Sequence, residues 1–171
     1  MSLFGEPVDS APPKFIKSSS QRAPRRVAKQ PTRRRVFGNI SVSVMLAVDT
    51  NVLVRLIARD EPAQVRVADE FVSKGAWISH LVLAETMWVL DSVYRLSREK
   101  LSIAVEMLLN HRDLTLQDSD VVAEALENFR RRSAVDFSDC LVLGIARKAG
   151  HIPIATFARD FAKMEGVQRL R

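Results

Sequence analysis

The chain has 171 residues, of which 47% are hydrophobic and 27% are charged, as in soluble globular proteins with one buried core. No apolar run approaches the roughly 20 residues of a membrane span. The single cysteine, Cys140, excludes an internal disulfide and predicts a reducing, cytoplasmic location. His80, His111 and His151 lie far apart in the sequence, which disfavours a zinc site.

The formal net charge of +6 is concentrated at the N-terminus. Residues 1–44 contain nine Lys and Arg against two acids, whereas residues 45–171 contain 17 Lys and Arg against 18 acids. The first segment is rich in Pro and Ser and has no periodic pattern, which predicts a disordered basic N-terminal extension. Three interpretations remain open: a nucleic-acid-binding arm, a remnant of a fusion, or a start site assigned upstream of Met45.

From Met45 onward, strand-like and helix-like patterns alternate. In chain order they predict a strand at 45–48, helices at 51–58 and 62–73, a strand at 76–79, helices at 81–94 and 98–109, a strand at 114–116, helices at 118–131 and 138–150, and strands at 152–156 and 167–170. Pro62 and Ser97 suit helix starts, and Gly150 suits a helix end. The alternation predicts one α/β domain over residues 45–171, a three-layer α/β/α sandwich with a central parallel sheet.

Four acidic residues occupy positions where carboxylates carry chemistry. Asp49 directly follows the first strand and should stand at the carboxyl edge of the sheet, where ligands collect. Asp139 falls in the first turn of a helix, and Asp136 precedes it by three residues. Glu85 lies in the apolar stretch "SHLVLAETMWVL", so we expect it to be buried and to need a partner.

A hard divalent cation would satisfy Asp49, Glu85 and Asp139 together, because Mg²⁺ prefers oxygen ligands. A bound Mg²⁺ or Mn²⁺ activates water and stabilises charge on a phosphodiester, so these acids indicate metal-dependent phosphodiester hydrolysis. Simpler roles remain open for each residue. Asp49 and Asp136 suit helix N-caps, Asp139 complements a helix dipole, and Glu85 could pair with a distant Arg.

Four ordered segments, "MLAVDTNVLVRLI", "ISHLVLAETMWVL", "DFSDCLVLGIARKAG" and "IATF…DFAKMEGVQRL", resemble a PIN domain of the VapC toxin ribonuclease type across residues 45–171. The resemblance implies an α/β/α sandwich that cleaves RNA with Mg²⁺ or Mn²⁺, forms a homodimer and is inhibited by a cognate antitoxin. Its implied acids are Asp49, Glu85 and Asp139, with Asp136 at a frequently acidic position. Its implied supporting polar residues are Thr50, Asn51 and Thr156.

The last motif departs from the family pattern, which has Thr-x-Asp at the end of the fourth strand. Ala158 stands where the fourth acid is expected, and Asp160 is a possible substitute two residues later. The alternatives are a weakened enzyme, a domain that binds RNA or an antitoxin without efficient cleavage, or an inactivating replacement. Loss of one positioned catalytic group typically lowers the rate by about 10² to 10⁴.

Other features have mainly structural interpretations. The aromatic residues are spaced as core residues: Phe71, Trp77, Trp88 and Tyr94. Arg130, Arg131 and Arg132 suit a helix C-terminus, although a phosphate contact beside Asp136 is an alternative. A groove for an antitoxin helix could involve Met87, Trp88, Leu90 and the helix at 98–109. A nucleotide-binding α/β protein is disfavoured because no Gly-rich phosphate loop is present.

Overall fold

The computed structural model describes residues 45–171, so the prediction of a disordered segment at 1–44 lies outside the described residues. The described part contains six α-helices: α1 (Thr50–Ala58), α2 (Pro62–Val72), α3 (His80–Ser92), α4 (Arg98–Leu109), α5 (Ser119–Arg131) and α6 (Phe137–Lys148). It also contains five short strands: β1 (Leu46–Ala47), β2 (Ala76–Ile78), β3 (Leu114–Leu116), β4 (Ile154–Thr156) and β5 (Val167–Arg169). A short 3₁₀ helix, Phe161–Lys163, precedes β5. The predicted elements occur in the predicted order.

All the strand pairs are parallel. Strand β2 lies between β1 and β3, with Leu46 opposite Ala76 and Ile78 opposite Leu116. Strands β4 and β5 form a separate two-stranded sheet. Helices connect successive strands of the first sheet, as parallel pairing requires. The α/β sandwich predicted from the sequence is therefore confirmed.

The first strand is more exposed than its apolar sequence predicts. Met45 and Leu46 retain 47% and 48% of their accessible surface, and only Val48 of the segment 45–48 is buried. The prediction of a buried strand is wrong here because, among residues 45–171, β1 pairs only with β2 and lies at the edge of their sheet. Its carboxyl end nevertheless leads directly into α1, and this junction places Asp49.

The hydrophobic core draws residues from every helix and from β2 and β3. Helices α5 and α6 approach so closely that a Cβ atom added at Gly144 would lie 2.9 Å from Cγ1 of Val121. This contact accounts for a glycine inside a helix, where it normally costs about 1 kcal/mol relative to alanine. Across residues 45–171, no helix combines the length and apolar character needed to cross a membrane.

Candidate acidic site

Asp49 forms the junction between β1 and α1. Its backbone is extended, and its Oδ1 accepts a hydrogen bond of 3.0 Å from the backbone N–H of Val52, so it is the N-cap of α1. The capping role considered from the sequence is therefore present. A carboxylate has several lone pairs, and Oδ2 of this exposed side chain has no hydrogen-bond partner among the described residues. Capping thus leaves Asp49 able to bind a further ligand.

Thr50 connects this junction to Glu85. The Thr50 hydroxyl donates a hydrogen bond of 2.6 Å to Oε2 of Glu85, across 35 positions of sequence. The expectation that Glu85 is buried is wrong, because its side chain is exposed. Helix α3 turns Leu83, Met87 and Leu90 into the core and leaves Glu85 on the opposite face. Among the described residues, the hydrogen-bond partner of the Glu85 carboxylate is the Thr50 hydroxyl rather than a cation.

Asp136 and Asp139 form a second acidic pair at the start of α6. Asp136 occupies the N-cap position, but its side chain makes no capping hydrogen bond. Asp139 is half-buried in the first turn, and burial, followed by the negative charge of Asp136, raises the pKa of its carboxyl group. A bound cation would oppose both effects by stabilising the ionised carboxylate of Asp139. The pair is therefore chemically suited to a metal ion.

Arg98 holds the loop that leads to Asp136, a role that sequence reasoning missed. Its Nη2 donates to the carbonyl oxygens of Phe129, Arg132 and Val135 at 2.6–2.7 Å, and its Nε donates to Phe129 at 3.1 Å. The guanidinium carbon lies 3.6 Å from the centroid of the Phe129 ring. Burial lowers the pKa of Arg98, and the negative charge of Asp136 opposes that shift. No sequence signal relates Arg98 to carbonyls more than 30 positions away.

The structure thus associates Asp49 with Glu85 through Thr50, and Asp136 with Asp139. Helices α3 and α6, which carry one member of each pair, pack against each other. Within residues 45–171, no three His, Cys, Asp or Glu side chains lie close enough together to hold one ion. The donors still fit Mg²⁺ chemically, because that ion commonly takes one or two carboxylates and keeps several waters. A single ion shared by Asp49, Glu85 and Asp139 remains a prediction.

At the end of β4, a local hydrogen bond joins Thr156 to Ala158, the position where the family pattern has an acid. The backbone N–H of Ala158 donates to Oγ1 of Thr156 at 3.0 Å. Asp160 accepts a hydrogen bond of 2.6 Å from Nζ of Lys163, and this cation lowers the pKa of the Asp160 carboxyl group. The Asp160 carboxylate therefore has a local counter-charge, and its use as a substitute acid would require breaking that ion pair.

Asp49 and Asn51 also border a cleft with a volume of about 700 Å³. Side chains from α1 and α2 line it, among them Arg55, Val67 and Phe71. Phe71 retains 36% of its surface, so its assignment to the core is wrong. The apolar wall lies immediately beside the exposed carboxylate of Asp49.

The remaining sequence interpretations have mixed outcomes. Trp88 retains 65% of its surface, so its assignment to the core is wrong, whereas Trp77 and Tyr94 are half-buried. Met87 and Leu90 are buried, which leaves only Trp88 of the three groove residues named from α3 at the surface.

Arg130 and Arg131 lie in the last turn of α5, as predicted, and Cys140 is buried. Arg130 and Arg131 form ion pairs with Glu106 and Glu127. Burial raises the pKa of the Cys140 thiol to about 11, which keeps the thiol protonated at neutral pH and disfavours a nucleophilic role.

The sequence of this chain is similar to known proteins. The model of the PIN domain family matches residues 46–167. The chain is 26% identical, over 125 residues, to the VapC ribonuclease of Aquifex aeolicus (strain VF5), which covers 70% of this chain and 92% of the relative. No solved structure gives a significant match.

Proposed function

The chain belongs to the PIN domain family, and from this premise we propose that it is a metal-dependent endoribonuclease toxin of a type II toxin–antitoxin module. It would hydrolyse RNA phosphodiester bonds with Mg²⁺ or Mn²⁺. The observation that carries the proposal is the 2.6 Å hydrogen bond from Thr50 to Glu85, because it joins two motif segments that lie 35 positions apart. Similarity to a VapC ribonuclease supports the choice of RNA as substrate.

Each acid has a role that its surroundings support. Asp49 and Glu85 present exposed oxygens for metal binding, and Thr50 orients Glu85. Asp139 and Asp136 would bind metal from α6, since their mutual repulsion is relieved by a cation. Bound Mg²⁺ would supply Lewis-acid stabilisation of the phosphate and an activated water. Asn51 and Thr156 would contribute polar contacts beside these acids.

The biological partners follow from the same relationship. We propose a cognate antitoxin that inhibits the enzyme, a homodimer as the functional state, and a cytoplasmic location. Exposed apolar side chains on α6, Val142 and Ile145, supply surface that a protein partner would cover. The basic segment 1–44 would add electrostatic affinity for RNA if it is part of the cellular protein.

The test is cleavage of defined RNAs by the full chain with Mg²⁺ or Mn²⁺ and with EDTA. We expect cleavage only with metal, and a loss of at least about 10²-fold in Asp49→Asn and Asp139→Asn. Asp120→Asn is the matched control, because Asp120 is an exposed acid of a first helical turn that pairs with Lys148. Undiminished cleavage in EDTA, or equal losses in all three variants, would reject the proposal.

A second candidate function is an RNA- or antitoxin-binding PIN domain with weak cleavage. Ala158 favours it, because this position lacks the fourth acid of the family pattern although its backbone N–H is hydrogen-bonded to Thr156. The variant Ala158→Asp should then raise metal-dependent cleavage by about 10² or more. If the wild-type chain cleaves efficiently and Ala158→Asp changes nothing, this candidate is excluded.

A further inference from the structure

A second, smaller cleft lies beside Asp136, between α3 and the start of α6. Its volume is about 140 Å³, and its polar lining comes from Asp91, Arg98, Asp136 and Ser138. Trp88 forms part of its apolar wall. Since Asp136 belongs both to this cleft and to the second acidic pair, the cleft adjoins the proposed site of cleavage.

Trp88 is not part of the hydrophobic core formed by the described residues. It retains 65% of its surface, whereas its neighbour Met87 is buried. Residues three apart on a helix share a face, so Trp88 lies next to Glu85 on the exposed face of α3. A large aromatic surface is therefore held at the rim of the cleft, within one helical turn of a candidate metal-binding acid.

We propose that this cleft is a subsite for one base of single-stranded RNA, with Trp88 as the surface on which the base stacks. The inference rests on the proposed function, because it places RNA at the acidic site. Aromatic side chains bind bases in this way whatever the sequence, since every base has a π-face. The cleft is smaller than typical pockets for drug-sized ligands, and this size suits one planar ring.

The charged side chains in the cleft favour binding of an RNA base over binding of a backbone phosphate. Asp91 and Asp136 contribute two carboxylates, which repel phosphate and accept hydrogen bonds from exocyclic amino groups. Arg98 contributes the opposing charge, but its Nε and Nη2 already donate to backbone carbonyls. The subsite therefore favours bases that carry an amino group, such as cytosine and adenine, over uracil.

The experiment measures binding of tetranucleotides to the full chain in EDTA, which separates binding from cleavage. Fluorescence anisotropy of labelled rCCCC and rUUUU gives Kd values at a salt concentration high enough to suppress non-specific contacts. Trp88→Ala should weaken rCCCC binding by about tenfold, and Trp88→Phe should weaken it less. The wild-type chain should bind rCCCC more tightly than rUUUU. Tryptophan fluorescence in a Trp77→Phe background should be quenched by rCCCC.

Leu81→Ala is the matched control, because Leu81 is also an exposed apolar residue of α3, with 77% of its surface accessible. It should leave the Kd unchanged. Equal Kd values for the wild-type chain and Trp88→Ala would overturn the inference. So would unchanged RNA affinity together with conversion of a dimer to a monomer in Trp88→Ala, which would assign Trp88 to an interface with a second copy.

The two proposals fail in different ways. If the wild-type chain cleaves RNA with Mg²⁺ but Trp88→Ala binds tetranucleotides normally, the nuclease stands and the subsite is refuted. If no metal supports cleavage but Trp88-dependent binding persists, the subsite stands and the nuclease is refuted. Circular dichroism of each variant tests whether the substitution has left the fold intact.

Discussion

Replacing Arg98 with methionine tests whether one side chain fixes the loop that carries Asp136. Methionine keeps most of the apolar stem but leaves three carbonyl oxygens without their charged donor. Hydrogen bonds to charged groups contribute about 1.5–3 kcal/mol each, and water can replace part of the loss at this half-buried site. We expect the free energy of unfolding to fall by about 3 kcal/mol, which corresponds to a fall in the Tm of about 10 °C.

The assay is urea unfolding of the full chain in EDTA, with Arg130→Met as the matched control. Arg130 also connects α4 to α5, through an ion pair with Glu106 at 2.7 Å, but that pair lies at the surface. Exposed ion pairs contribute little to stability, so Arg130→Met should change the free energy of unfolding far less. Equal losses in the two variants would show that the carbonyl contacts of Arg98 have no special role in stability.

Three further predictions concern α6. The pKa of Asp139 is raised in the folded chain, so its ionisation destabilises the metal-free fold above that pKa and has no effect below the unfolded value near 3.8. Asp139→Asn should therefore raise the Tm in EDTA at pH 7, and this increase in Tm should disappear as the pH falls below 4. An increase in Tm that does not change with pH would show that ionisation of Asp139 is not its cause. Gly144→Ala should lower the free energy of unfolding, measured in urea, by about 1–2 kcal/mol, because the added methyl group would clash with Val121. Adding Val121→Ala should remove that clash. Cys140 should resist iodoacetamide at pH 8 in the native chain and react in urea, as mass spectrometry would show.

The positions of helices and strands could be predicted because their signals are local. Asp49, Ser79 and Ser97 each accept a hydrogen bond from a backbone N–H three residues later, as N-caps do. These contacts depend only on neighbours in the chain. The same locality made the four motif segments recognisable, and the PIN family assignment is confirmed over residues 46–167.

Burial could not be read with the same accuracy. The apolar sequence around Glu85 and Trp88 predicted that both were buried, yet both are exposed. Helix α3 is apolar on nearly all sides, so its sequence does not show which face meets the core. That choice depends on α1, α4 and α6, which pack against it from distant parts of the chain.

The sequence by itself determined the alternation of strands and helices, the family, and the acids that could carry chemistry. Only the tertiary structure decided that Thr50 holds Glu85, that Arg98 holds the loop before Asp136, and that Trp88 faces solvent. The physical reason is distance along the chain. Helix caps and periodicity act over a few residues, whereas these contacts join positions 31 to 37 residues apart and exist only after the helices have packed.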